Sequence, residues 1–303
     1  MSDLFKIKVP ATSANLGVGF DSMGIAVSKF LEIEARRHDK WAITFQSSLL
    51  NNLPANEENL IIQVAQHVAK RHHQTMPSLH LTMSSDIPLT HGLGSSASAI
   101  VAGVELANYY CRLQLDEEAK IHLATLFEGH PDNVGPCVTG GLFIGYYHPS
   151  KDPLLESLYY DVINLEQIAL IVSIPPYEVS TKEARNILPT TYTNQEIATQ
   201  NAIGSLMLLA ALRKEYYKMG QLMMKDLIHE PYRQQLIPEF NKVKELSLNL
   251  GAYATVISGA GPTMLTLCPL AKVDHIVNQL QRSIPSCTHE EVHIVPPKQK
   301  EPS

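Results

Sequence analysis

Short runs of alternating apolar and polar residues in the first 90 positions predict strands. They are FKIKV at 5–9, FLEIEA at 30–35, WAITF at 41–45 and LHLTM at 79–83. The apolar period changes to that of a helix at 58–72 and again from Ser95 to about Tyr110. A further helix is predicted to start behind Asp116, a good N-cap residue, and to end at Gly129. These last two helices follow each other without an intervening strand.

The second half of the chain also mixes the two periods. It predicts strands at 168–175, in YATVISG, in TMLTLC and in VHIVP, and helices at 194–229, 239–250 and 271–283. Between the halves, residues 149–161 lose the apolar period and gather proline and charge, which is typical of a domain boundary. The pattern therefore predicts an α+β protein with two domains, 1–155 and 156–303.

Composition excludes several classes of protein. A chain of 303 residues, 45% of them hydrophobic, can bury a substantial core. Its formal net charge of −6 and lack of a long basic run argue against nucleic-acid binding. The longest uncharged apolar run, 202–212, is too short for a membrane span, and the N-terminus lacks a signal-peptide pattern. Four cysteines without a CxxC pair favour reduced thiols, so we expect a cytoplasmic protein with no membrane partner.

The stretch PLTHGLGSSAS at 88–98 allows several interpretations. A flexible linker is disfavoured, because Ser95 begins a helix with an apolar face. The GxGxxA spacing of a dinucleotide site is present, but the strand that should follow the helix is missing. A P-loop is excluded because its lysine is absent. What remains is either a phosphate-binding loop before a helix N-terminus or a structural glycine turn, and the loop pattern alone favours neither.

Six segments, in order along the chain, resemble the GHMP small-molecule kinases and, within them, the homoserine kinase branch. They are PATSANLGVGFD at 10–21, PLTHGLGSSAS at 88–98, EGHPDNV at 128–134, STKEAR at 180–185, HEPYRQQLIP at 229–238 and SGAGPT at 258–263. The resemblance implies a nucleotide-binding N-terminal α+β domain and a ferredoxin-like C-terminal domain. It also implies a homodimer that uses ATP and Mg²⁺ to phosphorylate the side-chain hydroxyl of L-homoserine, in threonine biosynthesis.

The same resemblance assigns residues to ligands. Phosphate contacts are expected from Pro88, Leu89, Thr90, His91, Gly92, Leu93, Gly94, Ser95, Ser96, Ala97 and Ser98. Ser96 and Glu128 would hold Mg²⁺ and act in catalysis together with Asn133, while Asn59 would face the adenine or serve only as a helix cap. Substrate contacts are expected from Asn15, Asp21, His130, Thr181, Arg185, Arg233 and Gly259. Asp21 would bind the ammonium group, Asn15 the hydroxyl end, and the two arginines the carboxylate.

Three departures from related patterns involve four residues. Thr12 and Ser13 stand where mevalonate-kinase-like sequences carry a lysine, and Asn133 stands near the position of a general-base aspartate in other branches. Like homoserine kinases, this chain lacks an obvious base, which implies catalysis by in-line positioning and charge stabilisation. Val18 replaces the usual proline of a GPGFD loop, which affects local stiffness only. We interpret Asp132 as structural.

The sequence disfavours three other functions. THEEVH at 288–293 matches the zinc motif HExxH, but it lies in a strand-like stretch, where residues four apart are about 13 Å apart. A nicotinamide dehydrogenase is disfavoured by the missing strand. A non-catalytic nucleotide-binding regulator is disfavoured by Glu128 together with Arg185 and Arg233, since a binder needs no magnesium carboxylate beside an amino-acid site.

Overall fold

The computed structural model describes residues 4–150 and 157–298. Among these, six strands form a first sheet: β1 (Leu4–Asn15), β2 (Gly19–Arg37), β3 (Ala42–Phe45), β4 (Leu79–Ser85), β5 (Leu142–His148) and β6 (Ser157–Ile163). Their order is β3-β4-β2-β5-β6, and β1 pairs along β2. The pair β3–β4 is parallel and the other described pairs are antiparallel. The alternation read in the sequence at 30–35 appears in the second half of β2, which is the centre of this sheet, whereas residues 23–27 of β2 are all buried.

Four helices belong to the first half: α1 (Leu60–Arg71), α2 (Ser95–Cys111), α3 (Glu117–Glu128) and α4 (Pro131–Thr139). The predicted limits of α3 are confirmed, because Asp116 accepts a hydrogen bond from Ala119 N and Gly129 ends the helix at a φ of 91°. The direct succession of α2 and α3 is confirmed too. Helix α4 was not predicted.

The second half contains a four-stranded antiparallel sheet: β7 (Ala169–Ile174), β8 (Ala254–Ile257), β9 (Met264–Cys268) and β10 (Thr288–Val292). Its order, β10-β7-β9-β8, is that of a ferredoxin-like layer. The helices are α5 (Thr181–Asn186), α6 (Asn194–Leu212), α7 (Tyr216–Met223), α8 (Glu230–Arg233), α9 (Phe240–Asn249) and α10 (Val273–Ser283). The expected ferredoxin-like second half is therefore present.

Two predicted elements need correction. The helix predicted over 194–229 is wrong as one element, because Lys214 adopts a φ of 57° between α6 and α7 and a turn separates α7 from α8. The last strand, β10, overlaps VHIVP only at Val292 and carries the HExxH match except for His293. There His289 is buried and bonded to the Ser173 hydroxyl at 2.8 Å, while the His293 side chain is 76% exposed.

The predicted boundary at 155/156 lies outside the described residues. Strands β5 and β6, on either side of it, pair over seven residues within the first sheet. This pairing favours a division of the chain between 163 and 169, and the domain limits stay a prediction. The chain also returns at its end to the first half, where Val295 N donates to Ala26 O at 3.0 Å.

Buried apolar side chains form one large cluster that extends from the first sheet to α6, α7 and one face of the second sheet, and a smaller one around α9, α10 and the other face of the second sheet. Each of the four cysteines is free of a disulfide, as predicted. Among the described residues, no helix has both the length and the apolar character to cross a bilayer.

Candidate active site

A cavity of about 140 Å³ lies where segments from both halves of the chain meet. Fourteen predicted site residues line it: Asn15, Asp21, Thr90, Gly92, Gly94, Ser95, Ser96, Glu128, His130, Asn133, Thr181, Arg185, Arg233 and Gly259. Asp132, Val179, Ala260 and Gly261 complete the lining. We call this space the polar cavity. Residues that lie far apart in sequence thus share one site.

A second cavity, of about 680 Å³, adjoins the same loop and is lined mostly by apolar side chains, among them Leu50, Leu53 and Ile87. Thr90, Ser95 and Ser96 line both spaces, while Pro88, Leu89, His91 and Asn59 line only the larger one. The predicted phosphate loop, residues 88–98, therefore separates a polar space from an apolar space whose volume is sufficient for a flat ring system.

Positive φ angles shape the phosphate loop. Thr90, Gly92 and Gly94 have φ values of 56°, 79° and 67°. A Cβ on Gly92 would lie 2.3 Å from the Ser258 carbonyl oxygen, and a Cβ on Gly94 would lie 2.0 Å from the Thr12 hydroxyl oxygen. Gly94 caps α2 without a side-chain hydrogen bond to its first turn. The first-turn amides and the positive end of the α2 dipole remain available for an anion.

Three predicted loop residues lie away from both cavities. Leu93, Ala97 and Ser98 are at most 1% exposed, and the Ser98 hydroxyl donates to Pro10 O at 2.9 Å. Their side chains support the loop from beneath. Asn59 caps α1, accepting from Ile61 N at 3.1 Å and donating to Pro54 O at 2.9 Å. Its cap role is shown, and its contact with adenine stays a prediction.

Ser96 and Glu128 bring two oxygens together at the edge of the polar cavity. The Ser96 hydroxyl donates to Glu128 Oε2 at 3.4 Å, from the first turn of α2 to the last residue of α3. Burial raises the pKa of Glu128, although His130 acts in the opposite direction. A carboxylate and a hydroxyl next to a phosphate-binding loop fit Mg²⁺, which takes few protein ligands and prefers oxygen.

The start of α4 carries a compact polar network. His130 Nδ1 is hydrogen-bonded to Asp132, which is 1% exposed, and Asn133 accepts from the Thr12 hydroxyl at 2.8 Å. Burial opposes protonation of His130, but the hydrogen bond and negative charge of Asp132 outweigh it and raise the pKa of His130. These contacts fix His130 and Asn133 at the cavity wall.

Asp21 and Arg185 face each other across the cavity. Their two side chains form a bidentate ion pair, with N–O distances of 2.8 and 3.0 Å, and both are about one-third exposed. They therefore offer a carboxylate and a guanidinium at one place, which suits a ligand that carries both an ammonium and a carboxylate.

Arg233 is buried on α8 and held by backbone carbonyls. It donates to Ala184 O at 3.1 Å and to Gly259 O at 2.9 Å, and Asn15 donates to the same Gly259 oxygen at 2.9 Å. Burial, and then the like charge of Arg185, lower the pKa of Arg233 to about 10, so it stays cationic at neutral pH. Asn15 also accepts from Asp21 N, so its amide orients the start of β2, which carries Asp21.

Comparison with known proteins agrees with this geometry. The family model described as the GHMP kinases N terminal domain matches residues 59–141, and the GHMP kinases C terminal model matches 207–286. The chain is 45% identical to a homoserine kinase of Staphylococcus epidermidis over 298 residues, covering 97% of this chain and 95% of that one. It is 42% identical to a homoserine kinase of Staphylococcus haemolyticus over 292 residues, covering 96% and 94%. The chain belongs to the homoserine kinase branch of the GHMP kinases.

A solved homoserine kinase from Cytophaga hutchinsonii superposes on this member of the branch with a TM-score of 0.84 at 29% identity, covering 99% of this chain and 96% of that one. The predicted two-domain GHMP kinase fold is thereby confirmed. The resemblance read from six motifs is confirmed with it.

Sequence reasoning missed two contributors to the site of this GHMP kinase. Asp132, interpreted as structural, lines the cavity and bonds His130. Phe20, which was not predicted, contacts both arginines through its ring. Each lies inside a motif quoted above, EGHPDNV or PATSANLGVGFD, next to the predicted residues Asn133 and Asp21.

Proposed function

We propose that this chain transfers the γ-phosphoryl group of ATP to the side-chain hydroxyl of L-homoserine, giving ADP and O-phospho-L-homoserine. One observation supports this most strongly. Asp21, Arg185 and Arg233 line the same cavity as the phosphate loop and the Ser96–Glu128 pair. A recognition set for an α-amino acid therefore lies beside a site for a phosphate and a cation.

The nucleotide would place its base in the apolar cavity and its phosphates at the start of α2. Backbone amides there bind phosphate oxygens, and the α2 dipole favours their negative charge. Ser96 and Glu128 would hold Mg²⁺, which supplies neutralisation of the charge that develops on the transferred group.

The acceptor would enter the ion pair of Asp21 and Arg185. Its ammonium takes the Asp21 carboxylate, and its carboxylate takes Arg185 together with Arg233. The hydroxyl then points away from these charges, toward Asn133 and the phosphate loop. Because the transition state of phosphoryl transfer is loose, holding the two reacting oxygens in line accounts for most of the catalysis expected here.

A coupled assay of ADP release tests the proposal. The full-length chain is given Mg²⁺ and ATP with L-homoserine, mevalonate or galactose in separate reactions. Of the three acceptors, only L-homoserine should support ADP release, since mevalonate and galactose lack the ammonium group that Asp21 would bind. Full activity on mevalonate and none on homoserine would overturn the proposal. The homodimer, the cytoplasmic location and the lack of nucleic-acid partners expected from the sequence stay predictions.

A further inference from the structure

The ring of Phe20 contacts the guanidinium groups of both arginines that line the polar cavity. The Cζ atom of Arg185 is 5.6 Å from the ring centroid, and that of Arg233 is 5.2 Å from it. Phe20 is the second residue of β2 and immediately precedes Asp21. The His229 ring stacks on it as well, at 5.3 Å between centroids and an interplanar angle of 25°.

This arrangement addresses an electrostatic problem. Two guanidinium groups converge on one site, and one of them, Arg233, is only 2% exposed. Arg233 has carbonyl acceptors on Ala184 and Gly259, but Arg185 relies on Asp21. When a substrate ammonium takes the Asp21 carboxylate, Arg185 loses that partner. The Phe20 ring is a partner of both cations that the substrate does not compete for.

An aromatic ring can serve two cations where an aliphatic side chain cannot. The π face carries partial negative charge, and it attracts a cation more strongly in a site from which water is excluded. His229 adds no positive charge to the group in its neutral form. Its Nε2 donates to Gly17 O at 2.7 Å, which leaves the Nδ1 lone pair toward Arg233 Nη1 at 3.4 Å.

We propose that Phe20 is a positioning residue for carboxylate recognition, and that its ring holds the guanidinium groups of Arg185 and Arg233 together at the spacing that binds the substrate carboxylate. Phe20 acts through the arginines and does not line the cavity itself. The inference rests on the proposed function, because it assumes that the ligand is an α-amino acid.

The test compares Phe20→Leu and Phe20→Tyr with the wild type on two ligands, L-homoserine and L-homoserinol, the analogue whose carboxylate is replaced by CH₂OH. For Phe20→Leu we expect the KM for homoserine to rise about tenfold, with kcat changed by less than about twofold. Phe20→Tyr, which keeps the ring, should retain the wild-type KM. Affinity for homoserinol, measured as KM or as Ki against homoserine, should be equal in all three proteins.

Fluorinated phenylalanines at position 20 provide a second measurement that preserves side-chain shape. Successive fluorines weaken the negative π face, so the homoserine KM should rise step by step from one to three ring fluorines. Phe5→Leu is the remote control: Phe5 lies on β1, and its ring stacks on that of Tyr109 in α2 at 4.3 Å between centroids. This variant should keep the wild-type affinity for both homoserine and homoserinol.

The outcomes separate the two proposals. A wild-type chain that releases no ADP with homoserine overturns the proposed function and, with it, the role of Phe20. An active wild type whose Phe20→Leu variant keeps its KM for homoserine overturns the role of Phe20 alone. The role of Phe20 is also overturned if homoserine and homoserinol lose affinity equally, or if the homoserine KM does not change with ring fluorination. Phe20 would then be only a structural residue at the start of β2.

Discussion

Left-handed backbone conformations concentrate around the polar cavity. Asn15, Leu16, Asp21 and Thr90 have φ values between 47° and 70°, although none of them is a glycine. Such conformations cost on the order of 1 kcal/mol or more each, so tertiary contacts must hold them. The hydrogen bonds of Asn15 provide such contacts. Its side-chain amide joins the end of β1 to the start of β2 at Asp21 and to the turn after β8 at Gly259.

Glu128 provides a prediction at this scale. Its carboxylate is the expected anionic ligand of Mg²⁺, so Glu128→Gln should lower kcat by roughly 100-fold or more while ATP binding weakens much less. Steady-state kinetics over a range of Mg²⁺ concentrations measures both effects. Glu118→Gln, an exposed glutamate in the first turn of the same helix, is the matched control. A Glu128→Gln enzyme with normal kcat would remove this residue from the site.

The residue-level site was largely predictable from its motifs, and the exceptions have physical reasons. Glycines and arginines in a fixed spacing identify a loop and its charged partners. The roles of Asp132 and Phe20 depend instead on which neighbour each side chain touches, His130 in one case and a pair of guanidinium groups in the other. The contacts of Phe20 join distant segments and leave no spacing to recognise, whereas His130 and Asp132 are neighbours in one motif and only their hydrogen bond was unknown.

At the scale of elements, α4 shows where periodicity fails. Its sequence, PDNVGPCVT, contains two prolines and a glycine and has the composition of a loop. Tertiary packing makes it a helix: a Cβ on Gly135 would lie 2.4 Å from the Phe143 ring, and one on Gly24 of β2 would lie 1.8 Å from Asp132 O. Pro131 stands at the first helical position, where its missing N–H costs nothing.

Helix α8 carries Arg233, and Glu230 fixes this helix to the second sheet. Glu230 is 5% exposed, accepts from Ile257 N at 3.2 Å and lies 3.7 Å from the Lys244 ammonium. Burial raises the pKa of Glu230 from its ordinary 4.5 to about 7, despite the opposing charge of Lys244. Between these two values the folded chain binds more protons at Glu230 than the unfolded chain does, so stability falls as the pH rises.

We therefore predict that Glu230→Gln removes part of the pH dependence of unfolding. Between about pH 5 and pH 8, the free energy of unfolding of the wild type should fall by at most about 3 kcal/mol relative to that of the variant. Urea denaturation of both proteins across this range measures the difference. Glu245→Gln, an exposed position on α9 next to Lys244, serves as the control. A wild-type-minus-variant difference that stays constant with pH would contradict the shifted pKa.

At the scale of the whole molecule, the chain crosses between its halves more than once. Lys29 of β2 forms an ion pair with Glu290 of β10 at 2.9 Å, and Gly259 N donates to Ala14 O at 3.0 Å. Gly259 also lines the polar cavity. The apolar pattern predicted two domains, but it could not predict how they dock, because the ion pair and the hydrogen bond that join them connect residues far apart in the sequence.

The segment 293–298 provides the last prediction. Four backbone hydrogen bonds join it to the first half: Ser28 N to His293 O, Val295 N to Ala26 O, Gly141 N to Val295 O and Lys298 N to Thr139 O, at 2.8–3.0 Å. Each of these hydrogen bonds contributes about 1 kcal/mol to stability. Truncation after Val292 removes all four, so it should lower the free energy of unfolding by about 4 kcal/mol and loosen the end of α4. Truncation after Lys298 keeps all four bonds and should match the full chain in urea denaturation. Equal unfolding midpoints for the two truncated proteins would show that the returning segment does not hold the halves together.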